Sequence, residues 1–350
     1  MAFKRLRKYY QKLFFGGIGI LVLTIIIVVN LGVVQVPWGQ SLMVILNKLP
    51  VVKQLIPVGD INQTARIIIF NIRLPRVLLA SLVGAGLAVT GSVFQGIFKN
   101  PLADPYVLGI SSGAALGAAL SMTWGATNLS FGWGLVTVNA FIGAIGTGLL
   151  VYSIARVGHR ISGITLLLTG TAVNILLTAL ISLIMTFKRE QMERIVIWTM
   201  GSVATADWNE IRMLLLIVLG GVGIVYFFAQ DLNLMLLGDE SAKSMGVEVE
   251  KVKKYLLLVC TLIVAMVVSV SGVIGFVGLI VPHMIRLLFG PDHRSLIPFS
   301  ALGGAFLLVV CDVIARTIAA PNEIPIGIIT SICGVPFFLT LIYQNKKKVL

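Results

Sequence analysis

Few residues within the apolar runs of this chain could do chemistry. Asp312 and Arg316 are the exception: they stand one helical turn apart in a run near 295–318. An i,i+4 acid–base pair of this kind makes a local salt bridge on a helix. Proton- and sodium-coupled carriers need carboxylates at mid-span, and Asp and Glu are almost absent from the span centres here. The histidines His159, His283 and His293 are dispersed. There is no HExxH, and no Gly-x-Ser-x-Gly elbow with a plausible acid and base. A metal site is not expected, because His283 has no partner at metal-ligand spacing and reads as a packed, hydrogen-bonded residue. Lys243-Ser244 comes nearest to a phosphate loop, but Leu237 and Ala242 occupy the two positions that need glycine, and without them the backbone cannot wrap phosphates. The chain is therefore expected not to be an enzyme. Any ATP it uses must be bound, with magnesium, and hydrolysed by another chain.

The elements that position these residues are apolar. Of 350 residues, 57% are hydrophobic and 12% charged, where a soluble domain averages about 45–50% and about 25%. Mean hydropathy is +1.00. This composition excludes an ordinary globular enzyme and a disordered protein. At about 20 residues per spanning helix, the apolar content supplies about ten spans.

Ten apolar runs fall near 13–34, 74–98, 108–126, 134–155, 165–187, 211–229, 255–273, 275–289, 295–318 and 326–343. The seventh and eighth touch, so nine spans are conceivable. The basic N-terminus (Lys4, Arg5, Arg7, Lys8, Lys12) and C-terminus (Lys346, Lys347, Lys348) favour an even count with both termini cytoplasmic. The net charge of +13 then reflects orientation in the membrane and not a nucleic-acid partner, because no basic stretch interleaves with aromatics. The 13–34 run is too long for a signal-peptide core and lacks a small-residue cleavage site, so it is expected to be retained as a span. A first outer loop is expected at about 35–73 and an inner loop at about 231–253.

Many of the 36 glycines lie inside these runs: Gly84, Gly86 and Gly91; Gly113 and Gly117; Gly143, Gly146 and Gly148; Gly303 and Gly304. Small residues let helices approach where lipid provides no hydrophobic drive for association. Prolines at 101, 105, 282, 325 and 336 interrupt helices near span ends, and irregular backbone at membrane depth survives only inside protein or beside water. That pattern favours a transporter or channel. Cys260, Cys311 and Cys333 sit in apolar runs and are expected to pack in the core. The 231–247 segment is expected to hold a short amphipathic helix, with Leu237, Ala242 and Met245 apolar and Asp239, Glu240 and Lys243 polar. Membrane-surface helices carry a Lys/Arg-rich polar face, whereas two acids at a helix start suit a protein partner.

These stretches together resemble the FecCD/BtuC family of ABC importer permeases, type II importers of ferric siderophores, haem and cobalamin. The resemblance rests on Arg73-Leu-Pro-Arg76, Gly84-Ala-Gly-Leu-Ala-Val-Thr-Gly91 with Gln95, Asn100-Pro-Leu-Ala-Asp-Pro105 and Leu108-Gly-Ile-Ser-Ser-Gly-Ala114. It continues through Leu237-Gly-Asp-Glu-Ser-Ala-Lys-Ser-Met-Gly-Val247, Gly275-Phe-Val-Gly-Leu-Ile-Val-Pro-His-Met-Ile-Arg286, Asp292-His-Arg294, Asp312-Val-Ile-Ala-Arg316 and Glu323-Ile-Pro-Ile-Gly327. The matches run in order from about residue 73 to 340.

The resemblance implies an all-α polytopic fold: one transmembrane permease domain, 1–350, of ten spans. It implies a second permease subunit, two cytoplasmic ABC ATPase subunits and an extracytoplasmic substrate-binding protein, in a bacterial cytoplasmic membrane. Siderophore systems of the family mostly pair two related chains, which favours a homologous over an identical second subunit. The resemblance assigns Leu237, Gly238, Asp239, Glu240, Ala242, Met245 and Gly246 to the segment that couples to the ATPase. It assigns Asn100, Pro101 and Leu102 to a cytoplasmic gate, and Arg73, Arg76 and Arg316 to docking the binding protein. Arginine suits docking because its planar fork pairs with carboxylate bidentately. From the residues alone, Arg73 and Arg76 could instead snorkel to headgroups, and Arg316 could be satisfied by Asp312. The expected cargo is a ferric siderophore, with haem or cobalamin as the alternative. An ion-coupled secondary transporter and a non-transporting scaffold are more distant readings.

Overall fold

The computed structural model describes residues 2–32, 34–47, 62–124, 134–157, 160–161 and 163–349. The chain is helical almost throughout. In order, its helices are α1 (Ala2–Asn30), α2 (Trp38–Leu46), α3 (Gln63–Arg66), a π-helical stretch (Ile67–Arg73) and α4 (Leu74–Ile97). A 3-10 turn (Pro105–Leu108) leads into α5 (Ile110–Thr123), then α6 (Leu135–Ala155). Two-residue strands β1 (Arg156–Val157) and β2 (Arg160–Ile161) pair antiparallel before α7 (Gly163–Phe187). After a 3-10 turn (Arg189–Gln191) come α8 (Met192–Thr199), α9 (Trp208–Phe227), α10 (Ala229–Leu236) and α11 (Asp239–Ser244). The chain closes with α12 (Val249–Ser271), α13 (Val277–Phe289), α14 (His293–Thr317) and α15 (Ile326–Val349).

Seven helices among the described residues are long and apolar enough to cross a membrane, and three shorter apolar ones are Ile110–Thr123, Val277–Phe289 and Ile326–Leu341. These ten follow the ten apolar runs in order. The two touching runs are separate helices because Gly272 (φ +67°) and Phe276 (φ +69°) turn the chain through left-handed backbone between α12 and α13. The region expected as a loop at 35–73 is partly helical, with α2 inside it and helix from Gln63 onward; residues 48–61 lie outside the described residues, as does His159. The π-helical stretch ends at Arg73, two residues before Pro75, whose ring and missing N–H disfavour a regular turn before it.

α4 is the buried axis of the bundle. Glycine, not bulk, sets its contacts: a Cβ at Gly84 would collide with the Gly304 carbonyl on α14, and one at Gly91 with the Gly278 carbonyl on α13. α5 and α6 meet in the same way at Gly113 and Gly143. Backbones this close gain the dispersion contacts that hold helices together in lipid. Pro282 removes the helical donor to the Gly278 carbonyl, and Gln95 of α4 compensates, its Nε2 lying 3.5 Å from that oxygen and 3.1 Å from the Leu279 carbonyl. Tyr106 donates its hydroxyl to the Ile274 carbonyl at 2.9 Å, pinning the start of α5 to the α12–α13 break.

The two ends of the bundle differ. At one, called here the Lys99 face, Tyr10 packs against Phe289 and Phe299, and α4 ends beside α11. At the opposite, Glu323 face, α1 ends beside Arg73 and Arg316. Cys260 and Cys311 are buried as expected, whereas Cys333 is exposed. It lines an apolar cavity of about 190 Å³ between α13, α14 and α15, with Phe276, Met284, Cys311 and Phe337.

Candidate functional site

On the Glu323 face, five charged side chains from distant parts of the sequence converge. Arg76 on α4 places Nε 2.7 Å from Asp312 Oδ1 on α14 and a terminal nitrogen 2.8 Å from Glu323 Oε2. Arg316 lies 3.5 Å from the second oxygen of Asp312 and donates to the Val28 carbonyl at 2.8 Å. Arg73 donates to the carbonyls of Val29 (3.3 Å), Asn30 (3.1 Å) and Val34. The reason is local: α1 ends at Asn30, and its last carbonyls have no helical donor. Two cationic groups satisfy them and also suit the negative end of the helix dipole.

This geometry changes how the three arginines are understood. The resemblance made them receivers of carboxylates from another protein. In the structure Arg73, Arg76 and Arg316 are only 4–6% exposed, and their guanidinium groups are engaged within the chain. Nor is Arg316 the main partner of Asp312, as the i,i+4 spacing suggested, because Arg76 makes the shorter contact. Three cations face two carboxylates, and only the Glu323 side chain, 45% exposed, stands at the surface. Glu323 belongs to a matched motif, yet its distance of 247 residues from Arg76 leaves no spacing signal for the pairing.

On the Lys99 face, the expected single amphipathic helix is two short helices. Gly238 (φ +122°) breaks the chain between α10 and α11, and the three apolar residues do not share a face. Ala242 is fully buried, while Leu237 is 68% and Met245 49% exposed. Two large apolar side chains thus project from the surface on either side of α11, with the acidic Glu240 beside them paired to Lys243 at 2.8 Å. Gly246 follows with positive φ (+89°) and turns the chain towards α12.

Asp239 points the other way. One oxygen lies 2.7 Å from Lys99 Nζ, and the other takes a hydrogen bond from Lys253 of α12. Burial disfavours its charge, but the hydrogen bonds from Lys253 and Lys99 outweigh that and hold its carboxyl below the usual range. Lys99 immediately precedes Asn100, Pro101 and Leu102, which form a turn in which the Asn100 side chain accepts from the Leu102 amide at 2.9 Å. The segments matched to coupling and gating are therefore joined directly. α10 has its own anchor: Asn233 Oδ1 accepts from the His293 amide at 2.8 Å and lies 2.9 Å from its Nδ1, and Asn233 Nδ2 donates to Asp292 at 2.6 Å. Lys99, Lys253 and Asn233 had no motif signal; charge opposite Asp239 was the only hint.

Beyond the Asn100–Leu102 turn, Asp104 accepts from the Tyr106 amide at 2.8 Å. Burial pushes its carboxyl up to about 6, against the opposing effect of that hydrogen bond. Among the described residues no group of three or more His, Cys, Asp or Glu converges as a metal site would require.

A third feature lies on α7. Thr171, Asn174, Thr178, Ser182 and Thr186 recur every three or four residues along one side and all face away from the chain. The four hydroxyls return to the carbonyl one turn back. This stripe was legible as a spacing of three and four residues, but the strong apolarity around it masked it.

The comparisons with known proteins agree with this architecture. Residues 20–344 match the FecCD transport family. The chain is 41% identical over 290 residues to the cobalamin import permease BtuC of Halobacterium salinarum, covering 83% of this chain and 77% of that one. It is 43% identical over 281 residues to the hemin transport permease HmuU of Yersinia pestis, covering 79% and 84%. It is 36% identical over 331 residues to the iron(3+)-hydroxamate import permease FhuG of Bacillus subtilis, covering 93% and 94%. Among solved structures, one described as a metal-chelate type ABC transporter in an inward-facing conformation superposes with a TM-score of 0.78 at 34% identity, covering 96% of this chain and 99% of that one. Ten apolar helices, the matched motifs and this similarity along nearly the whole length lead to one conclusion: the chain belongs to the FecCD transport family, as a multi-pass membrane permease of an ABC importer.

Proposed function

We propose that this permease passes a ferric siderophore across a bacterial cytoplasmic membrane, along a path between itself and a second, homologous permease subunit. The observation that carries this reading is the stripe on α7. Ser and Thr satisfy themselves by bonding back to the helix, but the Asn174 amide has no bond among the described residues, and burying such a group in hydrocarbon without a partner costs several kcal/mol. A span that carries it outward requires water or another protein there. The relative that imports iron(3+)-hydroxamate supports the siderophore. The hemin and cobalamin relatives support the alternative of another bulky metal chelate by the same route.

In this reading the siderophore arrives on an extracytoplasmic binding protein that docks on the Glu323 face. Both termini and the Lys99 face lie in the cytoplasm. An incoming carboxylate would take the place of Glu323 on Arg76, while Arg73 and Arg316 keep the neighbourhood cationic. Two ATPase subunits bind ATP and magnesium and contact Leu237, Gly238, Glu240, Met245 and Gly246. Ala242 and Asp239 hold that segment on the bundle. Movement of the segment opens and closes the Asn100–Pro101–Leu102 turn. Few charges line the spans, so affinity for the cargo resides in the binding protein.

The test is water access. Single cysteines replacing Asn174, Thr178 and Ser182, in a Cys333→Ala background, should react with a membrane-impermeant maleimide in the assembled transporter. Cysteines replacing Leu176 on α7 and Leu216 on α9 should stay unlabelled. Equal reactivity at all five sites, or none at the stripe, refutes a water-lined path there. Uptake of labelled ferrichrome, haemin and cyanocobalamin, each offered with the cognate binding protein, then separates the cargoes.

A further inference from the structure

α4 ends at Phe98 in a Schellman arrangement. The Asn100 amide donates to the Gln95 carbonyl at 3.2 Å, and the Lys99 amide to the Gly96 carbonyl at 3.3 Å. The residue after the cap in this motif takes left-handed backbone and is usually glycine, because a Cβ is disfavoured there. Here it is lysine, with φ +49°, one of two non-glycine residues in that region among those described. Unfavourable backbone retained at one position points to a task for the side chain. Among the described residues that side chain makes one polar contact: Nζ lies 2.7 Å from Asp239 on α11.

We infer that Lys99 is a positioning residue for transport, a tie rod through which movement of the 237–247 segment reaches the gate turn. The inference rests on the coupling and gating roles proposed above. α10 and α11 together are held at three points of unequal exposure. His293, which anchors α10 through Asn233, is 1% exposed. The Lys253 side chain is 10% exposed, and those of Lys99 and Asp239 are 37% and 34% exposed. The buried anchor fixes α10 to α14, so α11 swings about it. The half-exposed contact then transmits or releases the swing, because water can replace it cheaply. Gln95 extends the path: its carbonyl caps the turn, and its side-chain amide donates to α13.

The backbone provides a clean test. Lys99→Gly suits the left-handed position better than lysine, so it removes the tie without harming the fold. Leu102→Cys, in a Cys333→Ala background, reports the state of the turn. The probe is the labelling rate with a water-soluble maleimide in the full transporter, with and without ATP and vanadate. With Lys99 present, trapping the nucleotide should change the rate several-fold. In Lys99→Gly and Lys99→Met the two rates should coincide, while the melting temperature and co-purification of the ATPase are retained. Lys99→Arg should restore the difference. A several-fold nucleotide response in Lys99→Gly and Lys99→Met overturns the tie alone. No response even with Lys99 present overturns the proposed coupling and gating, and the tie with them.

Discussion

Arg76 Nε and Asp312 Oδ1 lie 2.7 Å apart across 236 residues of sequence, with the Asp312 side chain fully buried. This pair joins α4 to α14, while the same arginine reaches Glu323 beyond the end of α14. Removing one partner of a buried pair leaves an uncompensated charge, which costs about 3–5 kcal/mol. Arg76→Met should therefore lower the melting temperature of the detergent-purified protein, and Asp312→Leu should lower it further, because it strips the carboxylate from both Arg76 and the buried Arg316. Glu323→Gln should cost under about 1 kcal/mol, because half of that side chain is in solvent. A large effect of Glu323→Gln on stability would mean that the cluster is held from its surface.

Gly84 and Gly304 set the distance between α4 and α14. Gly84→Val drives a side chain into backbone that cannot rotate away, and should abolish a monodisperse size-exclusion peak. Gly146→Val is the control: a Cβ there meets nothing within 4 Å, so folding should be retained despite the same change of residue.

Asp104 and Asp239 respond to pH with opposite signs. The folded-state value of Asp104 is raised to about 6, above an unfolded value of about 3.9. The native state then binds the extra proton, so this residue's contribution to stability falls as pH rises from about 4 to 6. Asp104→Asn should raise the melting temperature at pH 7.5 and leave it nearly unchanged at pH 4, a difference of the order of 1–3 kcal/mol. Asp239 is shifted down, so its contribution is full above about pH 4 and is lost as pH falls through its lowered folded value. Its two lysine contacts should hold across pH 5–8. A pH-independent effect of Asp104→Asn would show that its carboxyl titrates alike in the folded and unfolded chain.

Leu237 and Met245 project without apolar cover. Leu237→Ser with Met245→Ser should leave the melting temperature of the isolated permease unchanged and reduce ATPase co-purification at least ten-fold. Undiminished co-purification would remove both side chains from that contact.

Much of the architecture was legible in the sequence, for a physical reason. A bilayer demands about 20 apolar residues per span, and close helix packing in lipid favours small residues, so spans and their glycine contacts appear as composition and spacing. The touching runs 255–273 and 275–289 could not be separated by hydropathy. It took the left-handed backbone at Gly272 and Phe276 to divide them.

The charged residues were identified but not assigned partners. Asp312–Arg316 looked like the natural pair because helical periodicity sees only neighbours along one helix, and the stronger contact came from α4. The resemblance set Arg73, Arg76 and Arg316 to face another protein, and their burial was not legible because sequence carries no measure of it. Leu237, Ala242 and Met245 looked like one apolar face until Gly238 broke the helix. By itself, then, the sequence determined that this protein spans a membrane about ten times, packs through glycine and belongs to an importer family. Tertiary structure decided which charges neutralise one another, and that the Asn100–Leu102 turn is held beside the 237–247 segment through Lys99 and Asp239. Those choices depend on distances between residues as far as 247 positions apart, which only the packed helices fix.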